Sequence, residues 1–428
     1  MLTKELQIAE RARKYKGEGL TNLHQFIDYD WMIESYRRLN RRSSPGVDGK
    51  DWRGYGQDLQ ANVEGLLSAF KSGKYRAPSI RRVYIPKGNG EKRPLGIPTI
   101  EDKVLQESVR RVLTPVYEEE FKPFSYGFRS GRGAHDAIDY LFRQVSYEGM
   151  HYIIDADIKD YFGSIDHGML RGFLDRRVKD GVIRRAIGKW LKAGILEEGQ
   201  IRYPKEGTPQ GGIISPLLSN IYLHYVLDQW FSEEIQPLLR GKSFIVRYAD
   251  DFILGFANAY DARRVMEVLP KRFKKYNLTL HAEKTKLINL ESKRGEGARS
   301  FDFLGFTHYL GKSRKGKVVL QRKTSRKKMQ ASLHRIQEWI KHSRKSTREL
   351  ILALNVKLRG YYNYYGITFN SRRLHSFYYL VKRILHKWLN RRGGKPVWKW
   401  ERFNKLIKEW IPLLTPRLYH TYLTAKPV

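Results

Sequence analysis

The chain has 428 residues, of which 41% are hydrophobic and 13% aromatic, enough for two or three domains and too apolar for a disordered polymer. It contains no cysteine, which excludes disulfides, thiolate-bound zinc and thiol nucleophiles. Its formal charge of +37 calls for a polyanionic partner, since a mixed-sign surface of small net charge suffices for solubility. The excess is concentrated. Residues 311–428 hold 30 of the 81 Lys and Arg but 4 of the 44 acidic residues, leaving 51 against 40 for the first 310. This pattern predicts a nearly balanced catalytic body joined to a basic nucleic-acid grip. No apolar leader opens the chain and no run of about 18 apolar residues occurs, so a cytoplasmic protein without a membrane span is expected.

In chain order, the first 75 residues pattern as helix, interrupted by Ser43-Ser44-Pro45-Gly46-Val47-Asp48-Gly49, whose Pro and Gly demand a loop. The alternation Arg82-Val83-Tyr84-Ile85-Pro86 before Gly88-Asn89-Gly90 predicts a β-hairpin. Thr99, with Asp102 three residues on, resembles a capping box and starts a helix to about Leu113. Two strands are expected to end in acids: Tyr152 to Ile158, with Asp157, and Phe244 to Leu254, with Asp250-Asp251 at a hairpin tip. Between them lie the Gly-rich turn Gly207 to Gly212 and an apolar helix from about Ser215 to Trp230. The C-terminal quarter is expected to be helical. Leu374, Phe377, Val381, Ile384 and Trp388 recur there at helical spacing, with Ser371 to cap the start and Gly393-Gly394 the end.

The chemistry is densest at Tyr248-Ala249-Asp250-Asp251. Adjacent carboxylates at a strand end repel one another, and a divalent cation relieves that repulsion. Nucleotidyl transfer uses two such ions about 4 Å apart, polymerases being the standing example. Neighbouring strand residues point to opposite faces, so a third carboxylate from an adjacent strand is needed, and Asp157 is placed to supply it.

Eight blocks then occur in one order: Ile85-Pro86-Lys87, Arg93 to Thr99, Ser125-Tyr126-Gly127-Phe128-Arg129, Asp157 to Phe162, Gly207 to Pro216, Tyr248 to Asp251, Leu278 to Lys286, and Phe303-Leu304-Gly305-Phe306. The set resembles the ordered motifs of reverse transcriptases, and of the group II intron-encoded ones in particular. The resemblance implies an α+β right-hand polymerase. It divides the chain into an N-terminal extension (1–75) with a template-contacting loop, fingers and palm (76–310), a helical basic thumb or maturase domain (311–393) and a basic nucleic-acid-binding tail (394–428). It makes Asp157, Asp250 and Asp251 the catalytic, metal-holding carboxylates, with the Ile158 carbonyl a further ligand, for two Mg²⁺ ions that Mn²⁺ can replace. Lys87 and Arg93 would grip the incoming triphosphate, and Gln210 would contact the nucleotide or template base. Phe162, five residues after Asp157, would exclude a ribose 2′-hydroxyl, with Tyr161 as the off-by-one alternative. Lys284 would be the general acid, with Lys286 the alternative. The tyrosines of Arg359 to Gly366, in the maturase signature, either stack on unpaired bases or pack between helices. Expected partners are an RNA template, in the first instance intron RNA, a DNA primer or target, and deoxynucleoside triphosphates. Without cysteine, the chain is expected to lack the Cys-paired zinc element that accompanies an endonuclease domain. Two other readings stand beside the polymerase: an RNA-binding splicing cofactor first of all, or a reverse transcriptase domesticated for DNA repair or phage defence.

Overall fold

A computed structural model describes residues 3–86, 92–197, 200–203, 206–207, 211–292, 298–391 and 398–421. Lys87, Gln210 and Gly393-Gly394 lie outside the described residues. The fold is α+β. The chain forms two compact units, residues 1–137 with 152–287, and residues 138–151 with 288–428.

The first unit opens with α1 (Lys4–Lys14), α2 (Tyr29–Arg38), α3 (Trp52–Gly56) and α4 (Leu59–Lys71), each preceded by a Thr or Asp; Thr3, Asp28 and Asp51 accept backbone N–H bonds as N-caps. Strands β1 (Ile80–Pro86) and β2 (Lys92–Ile97) form the expected hairpin, with Ile85 opposite Arg93. The Thr99 hydroxyl caps α5 (Ile100–Glu118), which runs a turn beyond its expected end. Only half of the capping box forms, because the Asp102 carboxylate accepts instead from the Tyr75 hydroxyl. Almost the whole surface of α5 is buried, polar residues included, and the unit's core is assembled around it. Helix α6 (Ala134–Ser146) carries the chain from the first unit into the second.

Strand β3 (Tyr152–Ala156) is followed by α7 (His167–Arg177), α8 (Gly181–Leu191), β4 (Ile195–Glu197) and β5 (Gln200–Arg202). Strand β4 pairs in parallel with β1, giving a sheet ordered β2-β1-β4-β5. Helix α9 (Ser215–Leu223) continues through π-type turns to Ile235. A second sheet pairs β6 (Ser243–Tyr248) with β7 (Asp251–Phe256), and β7 with β3; α10 (Ala259–Lys275) packs on these strands. At its edge is β8 (Lys286–Asn289), where the chain crosses into the second unit.

The second unit corrects two expectations. Residues 311–324 are not helical: β9 (Ser300–Phe303), β10 (Phe306–Lys312) and β11 (Val318–Thr324) form a three-stranded sheet. Val318 to Thr324 follow the alternation of a strand with one buried face, a local pattern that the basic composition masked. Helices α11 (Arg326–His342), α12 (Thr347–Tyr365) and α13 (Ser371–Arg391) follow. The last carries the expected apolar stripe, with Leu385 and Leu389 more deeply buried than Ile384 and Trp388. Residues 398–421 are no separate tail. From α14 (Trp400–Lys405) onward, Phe403, Leu406, Ile407 and Leu413 are buried in the core made by α11, α12 and α13. The Asn355 amide bonds Pro412 O and Leu414 N, fixing the extended chain between them.

Candidate active site

The carboxylates are placed by strand pairing. Ala156, the last residue of β3, pairs with Phe252 of β7. Asp157 follows the first and Asp251 precedes the second, so both stand at one end of the sheet, while Asp250 lies in the turn before β7. Burial pushes the Asp250 carboxyl above its ordinary range; the neighbouring charge of Asp157 adds to the push, and Arg93 and Arg247 oppose it. Arg93, on β2, therefore acts electrostatically on the same carboxylate that Asp157 does.

The Asp157 carboxylate accepts a bond from Lys284 Nζ at 2.7 Å, both side chains being half exposed. Of the two lysine candidates it is Lys284 that meets Asp157; Lys286 is exposed at the start of β8. Asp157 O accepts from His281 N–H at 2.7 Å, and Ile158 bridges Leu280, so the block from Leu278 is laced to the strand end. Among the described residues no three carboxylate or imidazole side chains converge as a ready metal site. The chemistry of the donors nevertheless suits a hard divalent ion: oxygen ligands, one of them buried beside another carboxylate.

Sequence reasoning missed what supports the turn. Arg247 is fully buried on β6. Its guanidinium donates to both Asp228 carboxylate oxygens, at 2.8 and 2.5 Å, to Asn220 Oδ1 at 2.9 Å and to the carbonyl of Ala249 at 2.9 Å. Ala249 has φ +59°, a conformation a non-glycine residue keeps only when its surroundings impose it. The Asn220 amide donates to Gly127 O at 2.7 Å, and Gly127 lies under the turn so closely that a Cβ there would stand 2.2 Å from Ala249 N. Ser125 bridges Arg247, and Tyr126 N–H donates to Arg247 O at 2.8 Å, so the Ser125–Arg129 block docks on β6 like a short strand. The available signal was a lone arginine inside the otherwise uncharged strand Phe244 to Tyr248, which requires a buried counter-charge.

The remaining candidates divide. Tyr161 is buried, its hydroxyl donating to Ser219 O at 2.6 Å, whereas Phe162 is half-buried with its ring edge-on to Tyr161. Gly207 (φ +89°) sits against Phe162 O and Gly163, and Gly211 (φ +112°) so close to β2 that a Cβ would stand 2.4 Å from Gly96 O. The Gln106 side chain accepts from Ile213 N–H, fixing the exit of the Gly-rich turn to α5. The Ser43–Gly49 loop is tied to α5 and β1: Lys103 donates to Ser43 Oγ and Ser44 O, and Arg81 to Pro45 O. Burial, with Arg81 adding, pushes the Lys103 ammonium down to about 8.

In the second unit the Phe303–Phe306 turn is aromatic packing. Leu304 (φ +49°) offers its carbonyl to the Tyr364 hydroxyl at 2.8 Å, and Phe306 stacks on Tyr364. Tyr361 stacks on Phe377 with ring centroids 3.7 Å apart, and Tyr362 is fully buried, so these tyrosines pack between helices.

Known proteins of one family resemble this chain. Residues 85–308 match the model of reverse transcriptases (RNA-dependent DNA polymerases), and residues 329–410 match the group II intron maturase-specific domain. The chain is 30% identical to the group II intron-encoded protein LtrA of Lactococcus lactis subsp. cremoris, over 88% of its own length and 75% of that protein's. It is 36% identical to protein YkfC of Escherichia coli, covering 53% of this chain and 67% of that one. It is 27% identical to an uncharacterized 91 kDa protein in a cob intron of Schizosaccharomyces pombe, over 89% of this chain and 55% of that protein. The chain thus belongs to the reverse transcriptase family, as an RNA-directed DNA polymerase of the group II intron-encoded kind with a maturase domain.

Proposed function

We propose that the chain extends a DNA primer on an RNA template as a right-hand, two-metal polymerase, with residues 76–310 as fingers and palm, 311–393 as thumb, and residues 1–75 placing a loop against the template. The observation that carries this is the pairing at the end of β3 and β7, which puts Asp157 and Asp251 at one end of the sheet, with Asp250 in the adjoining turn. Reverse transcriptases generally use divalent ions such as Mg²⁺, and these residues, with the Ile158 carbonyl, are the donors we assign to two of them. Bound there, the ions would supply activation of the primer hydroxyl and neutralisation of the triphosphate.

The protein's own residues do the rest. Arg93, whose charge reaches Asp250, and Lys87 hold the triphosphate by charge complementarity. Gln210 contacts the nucleotide or template base. Phe162 meets the sugar, since Tyr161 is committed to Ser219. Lys284, in contact with Asp157, is the ammonium we assign to proton donation toward the departing pyrophosphate. The family's work on group II introns, splicing and mobility, uses the same protein through its maturase domain.

The test is Asp157→Asn and Asp250→Asn in primer extension with Mg²⁺, alongside RNA binding and intron splicing on the same preparations. Extension should fall by at least about a thousandfold, since each ligand charge stabilises the transferring phosphoryl group by several kcal/mol. RNA binding and splicing should persist. Near-normal extension by either variant would refute its assignment, and joint loss of splicing would mean the carboxylates serve RNA folding as well.

A further inference from the structure

The Phe162 ring carries no polar atom that could anchor it. It stands in a single 3₁₀ turn, Tyr161–Gly163, which follows the left-handed residue Asp160 (φ +42°). Its neighbour Tyr161 is buried and tied down by its hydroxyl. The phenyl ring is half-buried and meets Tyr161 edge-on, with centroids 5.4 Å apart. Where that ring points therefore depends on what holds the backbone beneath it.

The holding contacts come from the entry of the Gly-rich turn. Gly207 (φ +89°) donates its N–H to Ile165 O at 2.8 Å. A Cβ on Gly207 would stand 3.0 Å from Phe162 O and from Cα and O of Gly163, so the two backbones touch with no side chain between them. The remaining contact is made by a side chain. His167 Nε2 lies 2.6 Å from Gly207 O, in a buried bond, and His167 itself is 7% exposed. A carbonyl oxygen can only accept, so Nε2 carries the proton.

His167 is well placed to act as a fixed post. It is the first residue of α7, and Asp166 caps that helix by accepting from Met169 N–H at 2.7 Å. Leu170, Phe173 and Leu174 of the same helix are buried in the core of the first unit. A leucine at this position would fill space without a polar ring to satisfy. What the imidazole adds is a directed donor for one carbonyl, that of the residue resting on the Phe162 peptide. The exit of the turn is held too, since Gly211 backs on Gly96 O of β2.

We propose that His167 is a positioning residue for sugar selection: by holding Gly207 against the Phe162 peptide, it sets where the Phe162 ring stands relative to the sugar of the incoming nucleotide. It acts through Gly207 and Phe162 rather than by contact with the nucleotide. The proposal rests on the reading of Phe162 as the residue that meets the sugar.

The experiment is single-nucleotide extension on an RNA template with matched ribo- and deoxynucleotides, read as the ratio of their kcat/KM values. It compares wild type, His167→Ala, Phe162→Ala and the double variant. A displaced ring admits the 2′-hydroxyl, so His167→Ala should shift the ratio toward ribonucleotides by about three- to tenfold, the range of one hydrogen bond's net contribution. A purely structural role would lower both substrates together and leave the ratio alone. In the Phe162→Ala background the same substitution should add less than about twofold, because the ring it positions is gone. His167→Gln, whose amide nitrogen reaches the place of Nε2, should restore most of the wild-type ratio. His167→Asn, whose shorter amide lies nearer the place of Nδ1, should not.

A wild-type ratio in active His167→Ala, beside a shifted one in Phe162→Ala, would overturn the positioning role and leave the sugar contact standing. Shifts that multiply in the double variant would overturn the route through Phe162. A wild-type ratio in Phe162→Ala would overturn the sugar contact itself, and the proposal with it. Should His167→Ala fail to fold, the Gln and Asn variants decide, and equal ratios in those two would overturn the proposal.

Discussion

Two hairpin turns, one in each unit, meet the same backbone problem with different chemistry. Ala249 and Leu304 both hold positive φ without being glycine. The first turn is braced by charge: a fully buried guanidinium fixes the Ala249 carbonyl while it is itself fixed by Asp228 and Asn220. The second is braced by rings, with a phenol bond from Tyr364 to Leu304 O. A buried ion pair contributes little net stability compared with well-packed apolar residues, but its bonds are directional. The directional brace lies beside the carboxylates that must be held in place. The ring brace lies where position is enough.

That contrast breaks if the charged brace proves to be only structural. Arg247→Met leaves Asp228 buried without its partner and should cost about 3–5 kcal/mol in urea unfolding. The double variant Arg247→Met, Asp228→Leu should recover most of that stability, yet kcat for extension should stay depressed because the Ala249 carbonyl has lost its donor. Wild-type kcat in the folded double variant would reduce the brace to packing.

A second buried acid in the first unit sharpens the point by lacking a cation. Asp102 is bonded to Tyr75, and burial lifts its carboxyl to about 7. Its folded value lies above its unfolded one, so the native state favours the protonated form. The contribution is full below the unfolded value near ~4 and is lost as pH rises through 7, at about 1.4 kcal/mol per unit. Asp102→Asn should therefore gain on wild type by a few kcal/mol between pH 4 and 8 in denaturant titrations. A gap that stays constant with pH would show that Asp102 is ionised throughout.

Rings near the carboxylates should select rather than brace. Phe162→Ala should raise ribonucleotide use, as the ratio of kcat/KM values on an RNA template, by about tenfold, or roughly 1.4 kcal/mol of lost discrimination. An unaltered ratio in an active variant would remove Phe162 from the sugar. The smallest effect belongs to the ring-braced turn: Tyr364→Phe should cost about 1 kcal/mol of stability with extension unchanged, and a fall in extension would erase the distinction between the turns.

The strands beside the acids were legible because mostly apolar segments, Tyr152 to Ala156 before Asp157 and Phe244 to Leu254 on either side of Asp250-Asp251, lead into them. The helix from Thr99 was legible from its cap. Lys284 could not be separated from Lys286 by spacing, since only the fold of the segment from Leu278 decides which reaches Asp157. Asp228 was illegible for a different reason. It lies 19 residues before Arg247 in another element, and nothing local marks an acid that will meet an arginine only after folding. The strand Val318–Thr324 was hidden by bulk composition, although its own alternation was present throughout.

Gly127 has a consequence for how such a chain can be assembled from parts. Its backbone is fitted against Tyr248 and Ala249 with no room for a single carbon. The block Ser125–Arg129 and the block Tyr248–Asp251 are consequently one mechanical piece, divided between two places in the gene. A chimaera with a crossover between them must join halves whose backbones already agree to within a few tenths of an ångström. One that takes both blocks from the same parent inherits that fit intact.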